Sequence, residues 1–291
     1  AALQGAVGLR RMGGYRGRVV LDEDDWEGAG GWNALEQRSW LARQVIARQE
    51  HWGLTHADAV TVASRALESL VWSLGVRPQR VIYLPNGSVP VVAGDGQAAR
   101  TRYGLGSAPV VLLYTRFFEF DVERPLRVLG RVLEQVPAVR LFVVGQALHL
   151  EDDERFDRRA GELGLAASVV RTGWLPADAL PDCFAAADAA LYPFDDTLVN
   201  RCKCAVKLVD LLAAGVPVVA DAVGQNVEYI VHGESGLLVP SGNEQAMAEE
   251  VVRLLREPRR GAELGEAAAR RMRAEFAWER LTEVALLALQ G

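Results

Sequence analysis

Residues 203–242, KCAVKLVDLLAAGVPVVADAVGQNVEYIVHGESGLLVPSG, decide the fold of this 291-residue chain. Val206, Val209, Leu212 and Ala213 recur at helical spacing, and Gly215 stands where a helix needs a left-handed residue after its last turn. Pro217 blocks continuation, and Val218, Val219 and Ala220 then form the short apolar run of a strand buried in a parallel sheet. On the predicted helix Lys203 and Lys207 lie one turn apart, with Asp210 three residues further on. Cations in a first turn oppose the helix dipole, and a bound anion removes that conflict. Two lysines and a carboxylate in this order suit a diphosphate and a ribose. The same pattern also describes a surface helix with solvated lysines.

Outward from this unit, strands alternate with helices, the pattern of a parallel sheet covered on both faces. Strands are predicted at residues 18–21, 59–62, 81–84, 110–114, 141–144, 169–172, 189–191, 218–220 and 237–239. A long helix is expected from residue 34 to about 50, and a second, capped by Ser64, ends near Gly75. Three helical stretches close the chain, near residues 244–255, 261–275 and 278–289. Residues 88–97, SVPVVAGDGQ, lack helical period and read as a linker. The chain therefore divides into a partial N-terminal domain (1–88), a complete doubly wound α/β domain (97–273), and a final helix (274–291) expected to pack back on the first domain. An open α/β sheet binds its ligand beyond the carboxyl ends of its strands. That rule singles out the loops at 115–123, 172–175 and 193–204.

A net charge of −6 with no Lys/Arg-rich run gives no footprint for nucleic acid. No apolar run approaches the roughly 18–20 residues of a membrane span. Residues 1–18 have no signal-peptide layout. Cys183, Cys202 and Cys204 are too few for a disulfide framework and suit a reducing, cytoplasmic compartment. Cys202-x-Cys204 has no second pair or nearby His to complete a metal site. His51, His56, His149 and His232 form no constellation, and neither Ser64 nor Ser235 has the His partner of a hydrolase.

Taken in order, these segments resemble the retaining family 4 glycosyltransferases of the GT-B fold. HADAVTVASRALESLVWSLGV…RVIYLPNG (56–87) is similar to the end of that family's N-terminal domain, and VVLLYTRF (110–117) to the first strand of its C-terminal domain. VVRTGWLPADALPDCFAAADAALYP (169–193) and KLVDLLAAGVPVVADAVGQNVEYIVHGESGLLVPSG (207–242) match two further family segments. The resemblance covers about residues 18–291 and implies two Rossmann-like domains, the first incomplete. It implies transfer of a sugar from a nucleotide-diphosphate sugar to an acceptor, with retention and with neither metal nor cofactor.

Residue by residue, it places Arg116 at the diphosphate; the helix pattern adds Lys207, expected with Arg116 at the diphosphate and at catalysis, joined by Lys203 and the amides around Cys204, Ala205 and Val206. Asp210 falls at the ribose, Gly173 and Trp174 at the edge of the base, and Gly224 where the backbone approaches the ligand. Glu228 supports the site by hydrogen bonds, and Asp24, in the DEDDW cluster, takes a catalytic place near the reacting sugar. Arg116 ends a buried-looking strand, so its charge is expected to need a partner.

Two departures stand out. The family helix carries two glutamates with seven residues between them; here the second is Asp210 and the first falls on Cys202. The family's Lys-Gly after the arginine is missing from FFEFDVERP, so Lys207, with Lys203 as a second candidate, is expected to supply that charge from the helix. The chain begins with Ala and reaches a strand almost at once, as a processed chain or a fragment starting inside a domain would; the resemblance implies that the start of the N-terminal domain is missing, so the chain is not expected to be competent alone. Peripheral membrane contact is expected only through that missing part. Against a glycosyltransferase stand a non-catalytic or truncated nucleotide-sugar-binding remnant and, further off, a GT-B epimerase or phosphorylase.

Overall fold

The computed structural model describes residues 17–35 and 38–290, so the reading of the first 16 residues lies outside the described residues. In chain order the elements are β1 (Val20–Glu23), α1 (Trp32–Leu35), α2 (Trp40–His56), β2 (Ala59–Val62), α3 (Arg65–Ser73), β3 (Val81–Tyr83) and α4 (Gly96–Arg102). Then come β4 (Val110–Tyr114), α5 (Arg124–Leu133), β5 (Arg140–Val144), α6 (Leu150–Glu162), β6 (Val169–Arg171), α7 (Leu180–Ala185), β7 (Ala189–Tyr192) and α8 (Leu198–Cys202). The chain finishes with α9 (Val206–Ala213), β8 (Val218–Asp221), α10 (Asn226–Tyr229), β9 (Leu237–Val239), α11 (Glu244–Arg256), α12 (Pro258–Glu275) and α13 (Trp278–Gln290).

These elements form two compact units. The first joins Ala1–Gly87, Thr197–Ala205 and Phe276–Gly291; the second joins Ser88–Asp196 and Val206–Glu275.

The first unit holds a parallel sheet in the order β1-β2-β3 among the described residues. β2 is buried along its whole length, as its AVTV sequence dictates for the middle of a parallel sheet. Its core is Trp26, Leu54, Val60, Val62, Leu67 and Val71, with the sulfur-bearing Cys202 packed among them. The Ser64 hydroxyl caps α3 by accepting from the Leu67 amide, and it donates to the Cys202 carbonyl at 2.6 Å. One serine thus starts a helix and fixes a segment 138 residues away. α13 packs on β2, and Arg18 Nε donates to the Ala288 carbonyl at 2.7 Å. The long helix expected from residue 34 instead starts at Trp40, where Ser39 accepts from the Ala42 amide. Residues 36 and 37 lie outside the described ones.

The second unit is a six-stranded parallel sheet in the order β6-β5-β4-β7-β8-β9. This is the doubly wound arrangement, whose strand order reverses between β4 and β7 and opens a crevice at their carboxyl ends. One core cluster gathers Leu113, Leu126, Leu141, Phe156 and Leu191 with Val251 of α11. Gly215 follows α9 with φ +75°, and α12 lies so close that a Cβ on Gly265 would stand 1.9 Å from the Gly215 carbonyl oxygen. The expected linker ends earlier than its composition suggests, because Asp95 caps α4 by accepting from the Ala98 amide.

One element differs from its sequence-based prediction in a way that bears on function. The helix bearing Lys207 and Asp210 does not begin at Lys203. Lys203 is the extended residue that closes α8 (φ −72°, ψ 142°), residues 203–205 are non-helical, and α9 starts at Val206. The physical reason is tertiary. Asn86, just past β3, donates its side-chain amide to the Cys204 carbonyl at 2.8 Å and its backbone amide to the Cys204 sulfur at 3.1 Å. Those bonds hold the segment in the first unit and take it out of helical register.

Candidate functional site

The crevice at the β4 end of the second unit is built around a backbone irregularity. Phe117 has φ +61°, the left-handed region that costs a bulky residue energy. Its ring is buried against Phe156 at 5.0 Å between centroids, and its amide donates to the Thr115 hydroxyl at 2.8 Å. With the chain turned at this point, Arg116 is exposed rather than buried, so burial does not impose the partner expected for its charge. Its side chain lines a cleft of about 480 Å³ together with Thr115, Gly145, Gln146, Trp174 and Lys207. Among the described residues no carboxylate pairs with the Arg116 guanidinium.

Gly145 follows β5 with φ +116°, and a Cβ there would stand 2.2 Å from the Thr115 carbonyl oxygen. Its amide donates to the Gly173 carbonyl at 3.2 Å, so the ends of β4, β5 and β6 are drawn together at this cleft. Trp174, 72% exposed, stands at the lip as a flat apolar face.

From the other side, α9 presents Lys207 and Asp210 three residues apart. Lys207 Nζ lies 3.4 Å from the carboxylate of Glu119 and 5.5 Å from the centroid of the Phe118 ring. Asp210 is part-buried, and burial pushes its carboxyl up to about 6, against the opposing pull of Lys207. It lines a second hollow of about 490 Å³ with Pro90, Val91 and Phe184, and Leu180 lines both hollows. The Tyr114 phenol is pushed up to about 12, mainly by burial and then by the charge of Asp210.

A buried ion pair joins the loops of the second unit. Arg124, 3% exposed, donates to Asp221, 0% exposed, at 2.6 Å and to Asp195 at 3.2 Å. The other Asp221 oxygen accepts from the Phe194 amide at 2.7 Å. Asp195 in turn accepts from the Asp121 amide at 2.9 Å and donates its own amide to the Glu119 carbonyl at 2.9 Å. The loops after β4, β7 and β8 are therefore tied into one frame, with every oxygen of Asp221 engaged, as a buried charge requires.

The remaining sequence-predicted residues divide between the units. Gly173 (φ +69°) and Gly224 (φ +51°) both occupy left-handed turns at strand ends of the second unit. Glu228 lies in the short α10, where its carbonyl accepts from Arg271 at 3.0 Å, and it does not line the cleft. Lys203, Cys204 and Ala205 belong to the first unit, so the amides and the second lysine expected beside Lys207 are not on its helix; Val206 opens α9 and is exposed. Lys203 Nζ stands 5.5 Å from the Trp32 ring centroid. Asp24 accepts from the Asn86 side chain at 3.1 Å within the first unit and lines an acidic hollow with Asp22, Asp25 and Glu27. Cys202 is fully buried, and burial, then Asp25 and Glu23, push its thiol up to about 12.

His232 Nδ1 accepts from the Leu238 amide and His56 stacks on Trp52, both structural positions. No group of three His, Cys, Asp or Glu among the described residues is placed to hold a metal ion. No described helix is long and apolar enough to cross a membrane. Sequence reasoning missed Phe117, Glu119, Gly145 and the Arg124–Asp221 pair. The one visible signal was charge inside an apolar pattern: Glu119 interrupts FFEF, and Asp221 closes the strand VVAD.

A family model described as glycosyl transferases group 1 matches residues 108–257, and another, described as glycosyl transferase 4-like domain, matches residues 3–87. A GDP-mannose-dependent alpha-(1-6)-phosphatidylinositol monomannoside mannosyltransferase of Mycolicibacterium smegmatis is 34% identical over 266 residues, 89% of this chain and 66% of that protein. A D-inositol 3-phosphate glycosyltransferase of Geodermatophilus obscurus is 30% identical over 251 residues, 82% of this chain and 52% of that protein. The chain thus spans 52% to 66% of the length of these two curated relatives. Among solved structures, sucrose-phosphate synthase from Thermosynechococcus elongatus superposes with a TM-score of 0.76 at 23% identity, covering 97% of this chain and 70% of that one. Anabaena HepE, solved in complex with UDP and glucose, gives 0.79 at 20% identity, covering 100% and 75%. At such identities these two likenesses speak for the fold alone.

Proposed function

Because the chain belongs to the group 1 glycosyl transferases and has the GT-B α/β fold, we propose that its second unit holds a nucleotide-diphosphate sugar for transfer to an acceptor, with retention of configuration. The observation that carries this reading is the exposed guanidinium of Arg116, paired with no carboxylate among the described residues, facing the same cleft as Lys207, with Asp210 on the adjoining hollow. The two cations meet the diphosphate, Asp210 accepts from the ribose hydroxyls, and Trp174 offers its face to the base. As the bond to the sugar breaks, charge builds on the leaving diphosphate, and preformed cations stabilise that charge without reorganisation. The strained turn at Phe117 and the glycine at 145 support such preformation. No metal enters the proposed reaction.

The relatives named for GDP-mannose make that donor the first to test, with UDP-glucose beside it. Calorimetric titration of the chain with GDP, GDP-mannose, UDP and UDP-glucose should give micromolar or tighter binding for one pair. Silence with all four would sink the reading. A donor-binding protein without turnover is the second reading, favoured by Cys202 standing, buried and protonated, where the family has a glutamate. Donor hydrolysis by a chain that binds donor would exclude it.

A further inference from the structure

Lys207, one of the two cations of the proposed site, is paired in the structure with a carboxylate. Glu119 sits on the loop after β4, 4% exposed, with its carboxylate 3.4 Å from Lys207 Nζ. A carboxylate beside a phosphate site is unfavourable for the ligand unless it does something for the cation. We propose that Glu119 is the positioning residue of the site: it anchors the Lys207 ammonium over the cleft floor, so that its remaining N–H groups face the diphosphate. This inference rests on the nucleotide-binding reading above.

Three features favour anchoring over competition. Glu119 is beneath the cation, lining a small internal hole with Phe120 and Phe194 rather than the open cleft, so an incoming phosphate does not displace it. Its backbone is immobilised, because its carbonyl accepts from the Asp195 amide and Asp195 is held by Arg124. The lysine itself is a flexible four-carbon stem with three donors, and only a fixed partner gives it one place in the absence of ligand. The pair also explains how a lysine on α9 can serve where the family's loop lysine is missing: the loop keeps its part of the arrangement by supplying the carboxylate.

The test is a mutant cycle on the whole chain, read by titration with GDP and UDP and with guanosine and uridine as phosphate-free probes. Glu119→Gln should weaken the diphosphate about 5–10-fold and leave the nucleoside unchanged, since a residue in the frame of a phosphate cation should matter only when phosphates are present. In a Lys207→Gln background, Glu119→Gln should add less than about twofold, because a residue acting through Lys207 has nothing left to act through. The double variant also removes the stranded lysine, so it remains measurable if Glu119→Gln alone folds poorly. Tighter diphosphate binding in Glu119→Gln would show competition and overturn the proposal. Equal losses in both backgrounds would assign Glu119 to the fold alone and overturn it too. If Lys207→Gln by itself leaves diphosphate binding unchanged, the nucleotide reading of α9 fails, an outcome separate from either of these.

Discussion

Asp210 has a carboxyl that burial raises to about 6, so its charge changes within an easily reached pH range. A ribose hydroxyl donating to it requires the anion. Affinity for a nucleoside diphosphate should therefore fall as pH drops from 7 to 5, and Asp210→Asn should remove that part of the fall. The phosphate's own ionisation near about pH 6 affects both proteins alike, so their difference isolates Asp210. At pH 7.5 Asp210→Ala should cost about 1.5–3 kcal/mol, the worth of a hydrogen bond to a charged acceptor. Parallel pH profiles for wild type and Asp210→Asn would return the residue to an ordinary part-buried acid. Arg116 makes a different prediction. It pairs with no carboxylate among the described residues, so Arg116→Ala should leave the melting temperature within about 2 °C, as a surface change does. Diphosphate affinity should nevertheless drop about tenfold or more, with nucleoside affinity unchanged. Loss of both affinities together would place Arg116 elsewhere than at the phosphates.

At the scale of elements, β1 ends in a buried acid. Glu23 is pushed well above the usual carboxylate range by burial first and then by Glu50, whose side chain also accepts from the Glu27 amide at 3.0 Å. A folded-state pKa above the unfolded one gives stability that is complete below about pH 4.5 and is lost as pH rises toward the folded value. The first unit should lose stability steadily between pH 5 and 9. Glu23→Gln should flatten that slope and raise its midpoint at pH 8 by about 4–8 °C, the shift that about 1 kcal/mol gives a small domain. A midpoint equal to wild type at pH 8 would count against the burial of Glu23 beside Glu50. Legibility varied in the same way from element to element. β4, β7 and β8 were plain because fully buried parallel strands are continuous apolar runs, and the end of α9 was plain because Gly215 and Pro217 leave the backbone little choice. Its beginning was not. Lys203 and Lys207 fit helical spacing, while bonds from Ser64 and Asn86, more than a hundred residues away in sequence, hold the stretch between them out of the helix. Arg116, just past a strand end, and Asp210, one turn along α9 from Lys207, could be picked out as charges in the local pattern. The left-handed Phe117 and the Glu119 carboxylate were not, since a strained φ and a buried ion pair depend on neighbours that local pattern does not contain.

At the scale of the whole molecule, neither unit is a continuous stretch of sequence: the chain passes between them after Gly87, Asp196, Ala205 and Glu275. α13 belongs to the first unit, where Leu281 and Ala288 are buried and Arg18 donates to the last turn. Removing residues 276–290 should lower the first unit's melting midpoint by more than about 10 °C. That follows from about 3 kcal/mol of lost apolar burial at roughly 4–8 °C per kcal/mol. GDP or UDP binding should persist, because the Arg116 cleft lies wholly in the second unit. An unchanged melt would show that α13 is dispensable. The same interleaving sets an order of events at the ribosome. β1, β2 and β3 emerge first, yet the segments that complete their unit are Thr197–Ala205 and Phe276–Gly291. At about 5–20 residues per second, the opening sheet waits roughly 10–40 s for its last helix. The second unit has all of its residues before that helix is made, so β1–β3 are translated ahead of the second unit yet wait until after it for α13.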